Sequence, residues 1–183
     1  LDPKTLPDAV RDQLSQALDA AFGTPAAPVV PGSVPGFDLS PGHLAAGGRV
    51  YKVQCQRCHG TAGDGRGPTG PWVYPYPRDF RTGAFKVAVG NAKPTADELV
   101  RLVRGGVPGT SMPLFDLLPE ADVRAAVAYT VHLSVRGETE YRVLKGLLDE
   151  SGTGDPATIP ADVTAAAAAV LSRWAAAPAA VPA

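Results

Sequence analysis

The string Cys55-Gln56-Arg57-Cys58-His59 closes a helical stretch that runs from His43 to roughly Cys58. Ser40-Pro41-Gly42 opens that stretch, with Pro41 near the first turn, where its missing amide is harmless. The C-x-x-C-H spacing is the signature of covalent c-type haem attachment. The chemistry accounts for the spacing. Two thiols one helical turn apart can add across the two vinyl groups on one edge of a porphyrin, and the adjacent histidine then places its imidazole beneath the iron. Three other uses compete with it. A thioredoxin-like redox pair belongs at a helix start in a βαβ context, and no strand precedes Cys55. A structural zinc site takes about four N or S ligands, whereas this chain offers two cysteines and the dispersed His43, His59 and His132. A simple disulfide would leave His59 without a role. The expected cofactor is one haem c, attached through Cys55 and Cys58.

Downstream, the segment HGTAGDGRGPTGPWVYPYP holds too much Gly and Pro for regular structure and needs something else to pack on. Thr95-Ala96-Asp97-Glu98 has the form of a capped helix start before Leu99, Val100, Leu102 and Val103, and Gly105-Gly106 ends that helix. Another helix starts at Pro119-Glu120 and is expected to stop at Gly137. Beyond it, Glu140 to Glu150 and Ala161 to Trp174 read as two further helices, the second with Val163, Ala167, Val170, Leu171 and Trp174 on one stripe. Upstream, Val10, Leu14, Ala17, Leu18 and Ala21 recur at helical spacing over residues 7–22, followed by a Pro-rich linker to Pro41. The closing residues 177–183 are expected to fray. With no strong strand pattern and no repeat, the chain divides into an N-terminal helix and linker (1–41), a central segment (42–137) and a C-terminal helical extension (138–183).

Seventeen Lys plus Arg against 18 Asp plus Glu give a net charge of -1 over 183 residues, without the basic field that holds phosphate backbones; no nucleic-acid partner is expected. No run approaches the roughly 18 apolar residues of a membrane span. The chain begins at Leu1 without a basic-then-apolar leader, which suits a mature or trimmed fragment. Hydrophobic residues reach 45%, but aromatics only 7%, and alanine makes up much of the remainder, so the protein-only core should be thin. A porphyrin would fill it, at roughly 25 cal/mol per Å² of apolar surface covered, and the central segment should unfold without it.

The sixth iron position calls for another ligand, and the only methionine, Met112, lies in the Gly/Pro loop Gly106-Val107-Pro108-Gly109-Thr110-Ser111-Met112-Pro113. A thioether on such a loop can reach back over the haem. His43 and His132 read as surface or packing histidines. Trp72, Tyr74 and Tyr76 offer apolar rings with polar tips that can wall a haem edge or simply pack.

Residues 43 to about 135 resemble a class I c-type cytochrome. The resemblance rests on Gly47, Tyr51, Cys55, Cys58 and His59, then HGTAGDGRGP, then GTSMP, then a last helix with Tyr129. It implies an all-α fold in which the first and last helices cross, Gly47 or Gly48 and Tyr51 meeting Tyr129. It implies His59 and Met112 as axial ligands and a proline carbonyl, here Pro68, on the histidine Nδ1. Pro77-Arg78-Asp79-Phe80 with Gly83-Ala84-Phe85-Lys86 is similar to bacterial cytochrome domains found alone or attached to respiratory enzymes. In that setting Arg78 can pair with a haem propionate. The implied function is outer-sphere transfer of one electron between redox partner proteins, in the periplasm or another exported location. The alternatives are a haem-bearing subunit of a larger redox enzyme, or a haem protein that binds peroxide or nitric oxide. The resemblance leaves the oligomeric state open.

Overall fold

The computed structural model describes residues 5–85, 93–149 and 155–176, and it is built from helices joined by long irregular segments. Helix α1 (Asp8–Phe22) buries Val10, Leu14, Leu18 and Phe22 along one stripe. It runs into a two-residue antiparallel hairpin, β1 (Gly23–Thr24) with β2 (Ala27–Pro28), too short to leave a strand pattern in the sequence. Helix α2 (Pro41–Gln54) and the single turn α3 (Gln56–His59) replace the one helix expected to reach Cys58, because the chain bends at Cys55. Helix α4 (Ala96–Gly105) starts on a capping box: the Glu98 amide donates to the Thr95 hydroxyl and the Thr95 amide to the Glu98 carboxylate.

Helix α5 (Glu120–Asp149) is one continuous helix of 30 residues. The expected stop at Gly137 is overturned, so the boundary placed after residue 137 falls inside a helix and the stretch from Glu140 continues it; residue 150 lies outside the described residues. Gly137 serves packing instead, since a Cβ there would overlap the backbone and Cβ of Arg81. Helix α6 (Ile159–Ala175) is the last element among the described residues, with Pro160 in its first turn. The fraying expected of 177–183 also lies outside the described residues.

Two apolar centres result. In the first, α2 crosses α5 at Gly47, which lies so close to the Ala125 carbonyl that a Cβ would overlap it, while Gly48 faces the Tyr129 ring. Tyr51 packs on Tyr129 with ring centroids 5.3 Å apart, and Leu133 joins them. Gly47→Val is therefore expected to cost about 1–3 kcal/mol by overpacking, read as a lower midpoint in denaturant titration.

The second centre corrects the expectation of a thin core. Helices α1 and α6 pack against the far half of α5 around Phe22, Val131, Val135, Leu144, Ile159 and Trp174. Val163, Ala167, Val170 and Trp174 are each no more than 2% exposed. Alanine contributes little area itself, but at Ala17 and Ala167 it lets larger neighbours close over it. Arg136 on α5 binds the C-terminal end of α1, donating to the carbonyls of Leu18 and Gly23 and to the Asp19 carboxylate.

His132 is a packing residue in this centre. Its Nδ1 lies 3.0 Å from the Val29 carbonyl, which can only accept, so Nδ1 carries the proton. Burial, helped by nearby Arg136 and opposed by the Val29 bond, lowers its pKa from the ordinary 6.5 to about 4. The native state therefore favours the neutral ring. Its contribution is full above pH 6.5 and is lost as the pH falls toward 4, on the order of 3 kcal/mol in all. His132→Gln should flatten that part of a stability-versus-pH curve.

Candidate functional site

The bend at Cys55 sets the geometry of the motif. After α2 ends, the turn α3 carries Cys58 and His59 round to the same cavity as Cys55. The following loop folds back to satisfy the carbonyls that a short helix leaves open. Gly65 donates to His59, Gly67 to Cys58 and Thr69 to Arg57, at 2.9, 3.1 and 3.0 Å. Tyr51 adds an anchor from α2, its hydroxyl donating to the Gly60 carbonyl at 2.8 Å. The Gly/Pro content of this stretch thus goes into close backbone wrapping.

Met112 reaches the cavity from the loop between α4 and α5. That loop is closed on itself: Val107 donates to the Met112 carbonyl at 3.3 Å, and the Met112 amide to the Thr110 hydroxyl at 3.1 Å. Phe115 donates to the carbonyls of Val103 and Arg104, tying the loop to the end of α4. The cavity so formed has a volume of about 160 Å³. Cys55, Cys58, His59 and Met112 all line it, amid apolar side chains such as Leu99, Val103, Phe80 and Val127.

His59 is oriented by one bond. Its Nδ1 lies 3.1 Å from the Arg78 carbonyl, so Nδ1 carries the proton and Nε2 keeps the lone pair. Burial holds its pKa below the ordinary value, although the Arg78 bond works the other way, and the neutral form is the one able to ligate a metal. Phe80 stacks on the ring at 4.4 Å. Burial, and the neighbouring Cys58, push the Cys55 thiol up to about 11. Both cysteines are free. Two unpaired thiols, a neutral imidazole and a thioether around an apolar cavity fit a haem c. Among the described residues no three or more His, Cys, Asp or Glu gather as a metal-binding group, so the zinc alternative gains no ligand set.

Other expected residues fall differently. Pro68 is not the partner of His59: its neighbours Gly67 and Thr69 donate to the carbonyls of Cys58 and Arg57, while the Arg78 carbonyl takes the His59 Nδ1 bond and Phe80 stacks on the ring. Trp72 and Tyr74 are 86% and 84% exposed and lie outside the cavity lining, so neither walls the cavity. Tyr76 and Arg78 do line it. His43 sits away from the cavity, 3.7 Å from the Asp38 carboxylate. The reading of the sequence missed Phe80 as the ring on His59 and the Arg78 main chain as its acceptor, although the motif containing both was visible.

The family described as cytochrome c oxidase, cbb3-type, subunit III matches residues 42–129, just under half of the chain. Residues 42–129 are a class I c-type cytochrome domain. The match spans the Cys55–His59 motif and Met112 and ends at Tyr129, the residue on which Tyr51 packs. Helix α1, the far half of α5 and α6 lie outside the matched cytochrome domain. No curated protein matches the chain by sequence. It is similar to a chain of the reducing HAO-like protein complex of Kuenenia stuttgartiensis, with 31% identity and a TM-score of 0.47, over 56% of this chain and 44% of that one. The chain thus spans less than half the length of that neighbour.

Proposed function

We propose that the chain is an electron carrier with one haem c, joined by thioethers to Cys55 and Cys58 and ligated by His59 and Met112. The observation that carries this reading is the convergence of both thiols, His59 and Met112 on one apolar cavity. Bound there, haem c supplies a one-electron ferric–ferrous couple. The chain supplies the rest. His59 offers Nε2 because Arg78 holds the proton on Nδ1, and the Arg78 bond raises the basicity of the imidazole. The loop at 107–113 presents the thioether, and the apolar lining excludes water. With His59 and Met112 both holding the iron, a substrate would find no open coordination site. That Arg78 lines the cavity supports its pairing with a propionate.

In this reading residues 42–129 carry the chemistry, and α1, the far half of α5 and α6 brace them. Domains of this kind are usually exported or periplasmic, and we assign the chain to the periplasm. No helix among the described residues is long and apolar enough to cross a membrane. The description of the matched family as an oxidase subunit favours a second reading, in which the chain is the haem-bearing subunit of a larger respiratory assembly. Intact-mass analysis of the purified protein tests the attachment: the expected mass is that of the chain plus one haem, and that increment should vanish in a Cys55→Ala, Cys58→Ala variant. A wild-type mass without the increment, or with two, contradicts the proposal.

A further inference from the structure

Glu138 is a carboxylate only 5% exposed, on the part of α5 beyond the matched cytochrome domain. It accepts from Lys93 Nζ at 2.6 Å, from the Trp174 indole N–H at 3.3 Å, and from Arg173 at 3.3 Å. Lys93, itself 2% exposed, also donates to the Gly83 carbonyl at 2.7 Å and lies 5.1 Å from the centroid of the Trp174 ring. Burying such a pair costs several kcal/mol of desolvation per ion, so its presence is not explained by stability alone. What it achieves is a fixed position for Gly83.

Gly83 ends the short segment that orients His59. Within six residues of it the Arg78 carbonyl accepts from His59 Nδ1, the Asp79 side chain caps the turn Phe80–Thr82, and Gly83 donates back to the Phe80 carbonyl. A second path links the same ends. Phe80 stacks on His59 at 4.4 Å, Phe85 on Phe80 at 6.1 Å, and Phe85 meets Trp174 edge-on at 5.7 Å. The polar path and the aromatic path both finish at Trp174 of α6.

We infer that Trp174 and Glu138 are positioning residues for His59, so that the C-terminal extension sets the reduction potential of the cytochrome domain. The inference rests on His59 being an iron ligand, as proposed above. Its physical content is the Arg78 bond. A firm Nδ1–H to carbonyl bond makes the imidazole a stronger donor and favours ferric iron; letting the 78–83 segment drift weakens the bond and raises the potential.

The holoprotein tests this. Trp174→Phe keeps a ring and removes the indole donor; Glu138→Gln keeps the shape and removes the charge. Each is expected to shift the midpoint potential upward and to change the hyperfine-shifted haem methyl pattern in ferric NMR, with the near-infrared methionine-to-iron band retained. Because they act on one segment, the double variant should shift by less than the sum. A residue that only stabilises α6 would lower the melting temperature and leave potential and methyl pattern unchanged; that result in either folded variant overturns the inference. Failure of the ligation reading shows separately, as a wild-type protein lacking the methionine-to-iron band.

Discussion

Replacing Met112 with alanine is expected to lower the midpoint potential by on the order of tenths of a volt, a fraction of the ~0.8 V range that axial ligation spans. The variant should lose the near-infrared methionine-to-iron band, and its ferrous form should take up carbon monoxide. The thioether is a soft ligand that favours ferrous over ferric iron, so losing it destabilises the reduced state. The substitution isolates the side chain. The bonds that close the loop at Met112 run through its amide and carbonyl, to the Thr110 hydroxyl and the Val107 amide, and do not need the thioether. An unchanged spectrum and midpoint would remove Met112 from the ligand set. Rapid carbon monoxide binding by the wild-type protein would instead favour a haem that handles small ligands.

Loss of the haem should divide the molecule in two. In the Cys55→Ala, Cys58→Ala variant, the segments 56–82 and 107–118 are expected to lose amide-exchange protection, while α1, the far half of α5 and α6 keep it. The reason lies in where apolar area is buried. Segments 56–82 and 107–118 contribute no residue to the large core, apart from partly buried Leu118, and side chains of theirs such as Val73, Phe80, Val107 and Phe115 line the cavity instead. At roughly 25 cal/mol per Å² they gain stability only when something fills it. Phe22, Val135, Ile159, Val163 and Trp174 bury one another without help from a cofactor. Hydrogen exchange read by mass spectrometry distinguishes the outcomes: uniform loss of protection along the chain would show that the two centres fold as one cooperative unit, and uniform retention that the haem contributes nothing to order.

How legible all this was in the sequence depended on how local the determining physics is. The Thr95–Glu98 capping box and the α6 stripe are set by spacing within one or two turns, and each appears as read. The Gly47–Tyr129 crossing followed from the resemblance to class I cytochromes. What escaped was set by tertiary contact. Gly137 looks like a helix stop in sequence, but the close approach of Arg81 gives it a different job. The acceptor for His59 was sought in a proline, Pro68, whereas any residue has a carbonyl, and only the path of the chain selects Arg78. The mutual docking of α1 and α6 on α5 depends on stripes from three distant segments meeting, which no window of sequence displays.

The central claim is that a single haem c, ligated by His59 and Met112, cycles one electron in this chain. A redox titration of the purified protein followed optically, with the near-infrared region recorded in the oxidised state, tests it most directly. The account predicts a single one-electron transition with the methionine-to-iron band present in the ferric form and lost on reduction. A transition without that band, more than one electron per chain, or no haem spectrum at all would contradict it.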